Sequence, residues 1–215
     1  MDSSRLVDGL IMYLGLVVLL TFHEFGHAWM ALRCGDDTAK QHGRVSLNPL
    51  VHIDPIGTVV LPLFMLMWPG AGQFLVGWAK PVPVNPNNLR NPKVDDILVT
   101  LAGPWMNVLL AVVLLGLGRI FWSLHLPSPG IEFCLTMAHT SLLLCFFNLL
   151  PIPPLDGSQV ARSLLNISYE AYYQIARYGF VILIIALQIP VLQYTLQAVT
   201  LRSWQTIGGL FGLPL

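Results

Sequence analysis

The sequence predicts an all-α polytopic membrane protein, a bundle of about four to six transmembrane helices with a re-entrant hairpin between the first and second long spans. Three observations carry that prediction. Hydrophobic residues make up 55% of the 215 residues and charged residues only 10%, where a soluble domain carries about 25% charge. Four apolar runs approach or exceed the roughly 20 residues that cross a hydrocarbon core. Basic residues also segregate between alternate loops, the asymmetry expected of a multi-span chain.

The first run is Leu6–Leu32. Its leader, "MDSSRLVDGLIMYLG", has one Arg and two Asp and no small-residue cleavage site, so the run is expected to stay in the mature protein. The other long runs are Ile97–Trp122, Ile131–Leu149 and Tyr172–Ile189. Val191–Leu201 is apolar but short, and reads as a partial span or an interfacial helix. Ile56–Trp68 would cover only about 20 Å as a helix, against a core of roughly 30 Å. "PGAG" at 69–72 breaks it, and a stretch carrying Pro81, Pro83, Pro86 and Pro92 follows. If the polar residues of the first run and their downstream partner share one membrane side, the chain must return between residues 55 and 95. A re-entrant hairpin meets that demand, and such backbone is tolerated only against protein or a water-filled cavity.

Arg33, Lys40, Arg44, Lys80, Arg90, Lys93 and Arg162 fall on one side of this layout, against Arg5 and Arg119 on the other. The richer side is expected to be cytoplasmic, with the N-terminus outside, in the cell membrane. No repeat or long polar stretch interrupts the chain. It reads as one membrane domain over 1–215, with a core at about 6–165 and C-terminal helices at about 172–204. A formal net charge of +0 suggests no nucleic-acid partner. Cys34, Cys134 and Cys145 are odd in number and irregularly spaced. They offer no disulfide framework or thiolate site, and read as small apolar fillers.

The first run holds "LLTFHEFGHAWMALRCG" at 19–35. Ionisable groups at bilayer depth are costly and mark function or pairing. On a helix, His23 and His27 project from one face, where two imidazoles can bind one zinc ion. Glu24 is then placed to take a proton from a water that the metal activates, the H-E-x-x-H arrangement of zinc-assisted peptide hydrolysis. The plain alternative is polar packing between helices. Taking Arg33 as the water boundary, His27 lies roughly 9 Å and His23 roughly 15 Å inside it. A catalytic zinc usually has three protein ligands. Glu132 and His125 fall on the wrong side, and His139 lies mid-span; His42, His52, Asp54 and Asp156 are on the right one. Asp156, in "NLLPIPPLDG" directly after a span, is the best placed: its prolines stop the helix and Gly157 frees the backbone to turn. Asp54, before a proline, is the competitor and could simply begin a turn.

HEFGH in one span, "LAGPWMN" (101–107) in a later one and "NLLPIPPLDG" (148–157) after a third resemble the site-2 protease family of intramembrane zinc metalloproteases. "GRVSLNPLVHIDPIGT" (43–58) and "GWAKPVPVN" (77–85) resemble segments of its compact members, and the likeness covers roughly residues 10–165. The resemblance implies one zinc ion held by His23, His27 and Asp156, with Glu24 as general base. It implies that Asn148 steadies the developing oxyanion or holds substrate, the alternative being a helix-end cap. Asn107 is expected to tie helices together by hydrogen bonds. The compact form is expected to lack a PDZ-like insertion and any nucleotide-sensing domain after residue 215.

The expected activity is hydrolysis of peptide bonds within or near transmembrane segments, as in regulated intramembrane proteolysis. Single-span membrane proteins would be the substrates, the lipid bilayer the surroundings, and a regulatory membrane partner the gate. An unwound substrate needs new backbone partners, which Gln73–Val84 could offer as a strand edge. The alternative for that stretch is a surface loop with Trp78 as interface anchor. Two other classes stay open. A zinc transporter would need polar residues lining several spans, and a proteolytically silent binding module would not need both Glu24 and Asp156.

Overall fold

The computed structural model describes residues 3–67 and 77–213, and among these every regular element is helical. Helix α1 spans Ser3–Arg33 and stops where Gly35 adopts φ +107°, a left-handed conformation open to glycine. Arg33 lies 5.1 Å over the Trp29 ring, a pair suited to the membrane–water interface. The short α2 (Thr38–Gln41) follows. A π-helical turn, Pro55–Val60, is capped by Asp54 and runs into α3, Leu61–Met67. These residues fall in the stretch where the sequence predicts a re-entrant hairpin. Its "PGAG" turn lies outside the described residues.

Helix α4 spans Pro92–Ser123, with Pro92 where a missing N–H costs nothing and Asp95 accepting the Asn91 amide. Helix α5, Ser128–Asn148, ends two residues before Pro151. Helix α6, Asp156–Leu164, starts only once Pro151, Pro153 and Pro154 are passed. Helix α7 is Tyr169–Ala176, α8 is Gly179–Ala186 and α9 is Pro190–Leu210.

Helix α4 is the centre of the bundle and packs against α1, α5, α6 and α9. Ala111 and Leu115 of α4 meet Ala138 and Leu142 of α5 in one apolar core, with Trp204 and Ile207 of α9 against them. Near the loop end, Ala31 and Cys34 pack with Leu89 and Val99. The three cysteines are buried and free, as fillers should be.

The first three predicted spans correspond to α1, α4 and α5, each long and apolar enough to cross a membrane. The fourth is corrected. Tyr172–Ile189 is not one helix but parts of α7 and α8, separated at Arg177–Tyr178. Glu170 and Gln174 make α7 too polar and short to cross. Gly179 sits so close to the Pro153 carbonyl that a Cβ would come within 2.6 Å of it. Pro190 then starts α9 at 83° to α8, and this bent pair supplies at most one further crossing. Val191–Leu201 lies within α9, a helix of 21 residues.

Helices α1 and α4 touch backbone to backbone. A Cβ on Gly26 would stand 2.6 Å from the Ala102 carbonyl oxygen, and neither backbone can yield cheaply. Gly26→Ala is therefore expected to destabilise the bundle by about 1–3 kcal/mol. Gly209→Ala, in α9 with nothing within 4 Å of its would-be Cβ, should be neutral or stabilising by up to about 1 kcal/mol. Thermal unfolding of both variants in detergent would check this, and equal melting points would contradict it.

Candidate metal centre

His23 and His27 lie one turn apart on the α4-facing side of α1. Their Nε2 atoms are 3.1 Å apart. Asp156 Oδ2 completes a triangle, 3.2 Å from His23 Nε2 and 3.4 Å from His27 Nε2. Two ligands at about 2.1 Å from a tetrahedral zinc stand about 3.4 Å from each other. The three edges match that spacing, and the donor set of two imidazoles and a carboxylate suits zinc. Among the described residues, this is the one cluster of three or more His, Cys, Asp or Glu able to hold a metal ion. Both histidines are buried, and Asp156 Oδ2 has no hydrogen-bond partner. A buried carboxylate oxygen left without a donor fits a position beside a cation.

Helix α4 shapes this triangle without contributing to it. A Cβ on Gly103 would overlap the His27 ring and press on His23. The Val99 carbonyl accepts from His27 Nδ1 at 2.8 Å, which leaves Nε2 as the metal-facing atom. The Asn107 side-chain amide lies 3.1 Å from His23 Nδ1. The stretch "LAGPWMN" therefore lines the site, a role the sequence reading assigned only to helix tying.

Glu24 Oε2 accepts the Val82 amide at 3.1 Å. Val82 belongs to an extended segment laid along α1. The Trp78 and Lys80 amides donate to the Gly57 and His52 carbonyls. Thr58 links Trp78 to Tyr13 of α1, and the Arg44 guanidinium caps the Lys80 and Pro81 carbonyls. Asp36, fully buried, accepts from the Asn85 amide and the Asn88 side chain and so ties the segment's far end to the loop after α1. Burial pushes the His52 pKa below its ordinary value, and its Nε2 donates to the Ser46 carbonyl. In the predicted edge Gln73–Val84, residues 73–76 lie outside the described part. The rest is extended, but its donors at 78, 80 and 82 are already spent. The opposite parity holds Gly77, Ala79 and two prolines without N–H.

The competing ligands are placed elsewhere. Asp54 accepts the Ile56 and Gly57 amides as a helix cap, and His139 packs edge-on against Trp204. Asn148 donates from Nδ2 to the Leu144 carbonyl, 2.9 Å away on its own helix.

The profile of peptidase family M50 matches residues 11–128 and 120–187. The chain belongs to peptidase family M50. It is 37% identical over 188 residues to YwhC of Bacillus subtilis, a zinc metalloprotease candidate, covering 84% of this chain and 81% of that protein. It is 36% identical over 184 residues to Rip2 of Mycolicibacterium smegmatis, another such candidate, covering 83% of this chain and 66% of the relative. The Rip2 of Mycobacterium tuberculosis is 33% identical over 150 residues, which span 66% of this chain and 52% of that one. No solved structure matches the chain. The family, the relatives and the apolar helices together make this a multi-pass membrane metallopeptidase of the zinc-dependent M50 group.

In this M50 chain the third corner of the triangle depends on how α6 is held. Asp156 is its first residue. Gly157 is helical rather than a turn residue, and is needed because a Cβ would overlap the Leu149 carbonyl. Further along α6, Arg162 pairs with Asp96 of α4, which also accepts from Ser163 and the Tyr169 hydroxyl. The Arg162 guanidinium lies 3.9 Å over the Tyr169 ring. Both partners of the ion pair are buried. Removing one leaves an uncompensated charge, a loss of about 3–5 kcal/mol. Asp96→Ala should therefore lower the unfolding free energy by that amount and loosen α6. The double variant Asp96→Leu with Arg162→Met should recover most of the loss, as measured by chemical unfolding in detergent.

Proposed function

We propose that this chain is an intramembrane-cleaving zinc endopeptidase that hydrolyses peptide bonds within or near the transmembrane segments of single-span proteins. One observation carries the reading: two imidazole nitrogens and a carboxylate oxygen from separate helices form a zinc-sized triangle beside Glu24, at the depth of a membrane-spanning helix. His23, His27 and Asp156 would hold one zinc ion. When bound, zinc supplies a Lewis acid that activates water and polarises the peptide carbonyl.

Glu24 accepts the proton of the attacking water and returns it to the leaving amine nitrogen. The Val82 amide fixes one of its carboxylate oxygens and so aims the other. The Asn148 amide is assigned to the developing oxyanion, which requires it to turn away from the Leu144 carbonyl. A substrate helix must unwind to offer its carbonyl, and the exposed backbone needs partners in lipid. The stretch Gly77–Val84 would supply some of them as a strand edge. The distribution of basic loops supports a site toward the cytoplasmic face of the cell membrane. A membrane partner would regulate access, as in regulated intramembrane proteolysis.

The test uses purified protein in proteoliposomes with single-span substrates. Glu24→Gln should lower turnover by at least about 10³-fold, the combined worth of a general base and its return of the proton, while retaining one zinc per chain. Asp156→Asn and His23→Ala should lose zinc and activity together. Cleavage unaffected by Glu24→Gln, or a wild type that holds no zinc, would overturn the reading.

A further inference from the structure

We propose that Asn107 is a positioning residue for the metal, its side-chain oxygen accepting the Nδ1–H of His23 so that Nε2 faces the triangle with a free lone pair. The inference rests on the zinc reading and assigns a role to a residue that makes no contact with the metal itself.

Asn107 sits on α4 one turn beyond Gly103 and is fully buried. Its side-chain amide and His23 Nδ1 are 3.1 Å apart. Oriented with Nδ2 toward the ring, the amide would donate, making Nδ1 the acceptor and forcing the imidazole proton onto Nε2. That proton would then point into the space between His27 and Asp156, where a cation belongs. The nitrogen and oxygen of a carboxamide exchange places by a half-turn, and the hydrogen-bond network decides between them. Turning the amide places Oδ1 against Nδ1. His23 then donates, and its Nε2 lone pair is delivered to the triangle.

His27 shows that this is the arrangement its neighbour needs. Its Nδ1 lies 2.8 Å from the Val99 carbonyl oxygen, an atom that can only accept. Both ligand histidines are thus oriented from α4, by Val99 and Asn107, eight residues apart on one face. A backbone carbonyl serves His27, but His23 meets a side chain, and only that contact can be altered by substitution. Asn107 is itself held, since its own carbonyl accepts from Ser141 Oγ of α5 at 2.8 Å, with both residues fully buried. Such outer partners fix the ring and raise the ligand's basicity, and their loss typically costs 10–100-fold in metal affinity.

The experiment is zinc titration of purified detergent-solubilised protein against a fluorescent chelator. Wild type, Asn107→Leu and Asn107→Asp would be compared, and the melting temperature of each zinc-free form recorded. Asn107→Leu should bind zinc about 10–100-fold more weakly. Asn107→Asp, which can only accept, should stay within a few-fold of wild type or bind more tightly. A purely structural asparagine would show a different pattern, with zinc affinity falling in both variants in step with the zinc-free melting temperature. Wild-type affinity in Asn107→Leu, or an equal loss in Asn107→Asp, overturns the assignment while leaving the protease reading intact. A wild type that binds no zinc overturns both.

Should Asn107→Leu fail to fold, ¹⁵N-histidine spectra of wild type decide. The two imidazoles whose signals shift on zinc addition should, in the zinc-free form, both carry their proton at Nδ1. One protonated instead at Nε2 would overturn the proposal.

Discussion

The structure depends on bringing α1 and α4 into backbone contact at the depth where the histidines lie. A bilayer interior offers no water to satisfy stray polar groups. Two imidazoles and a carboxylate can converge there only if their surroundings are dry, tight and furnished with partners. Gly26 on one helix and Gly103 on the other allow that approach, the first by letting the backbones touch and the second by leaving room for both rings. A side chain at either position would push the helices apart and separate the histidines from the groups that orient them.

The contact sets the order of the rest. With α1 fixed on α4, the loop after α1 is held through Asp36 and the extended segment lies where Val82 meets Glu24. With α6 fixed on α4 through Arg162 and Asp96, Asp156 reaches the histidines from the other side. The polar groups in this region are therefore paired in layers, ligands inward and partners outward. The exceptions among the buried side chains described are an oxygen each of Asp156 and Asn107, His52 Nδ1 and Arg44 Nε.

Much of this was legible in the sequence, and for physical reasons. HEFGH announced itself because the bilayer penalises charge, so three ionisable residues within five positions of a lipid span demand an explanation. Asp156 was legible because prolines stop α5 and place the aspartate at the head of the next helix. The role of "LAGPWMN" was less legible. A glycine needed for ring clearance and an asparagine needed at an imidazole nitrogen look the same, in one sequence, as residues that ease helix packing. Gly157 was misjudged likewise, because close approach and turning both favour glycine. The predicted fourth span failed because apolar content over 172–189 does not register a break at Arg177–Tyr178. That break reflects packing of Gly179 on Pro153, a contact distant in sequence.

The helix that governs the triangle donates nothing to it: α4 spaces the rings with Gly103, orients them with Val99 and Asn107, and anchors α6 with Asp96. Ligand identity and ligand spacing are thus encoded on different segments of the chain. Substitutions in α4 could retune the cavity toward a larger or smaller ion while every metal-binding residue stayed as it is. Metal preference in such a protein would be inherited through its scaffold helix, and a comparison restricted to the ligands would miss it.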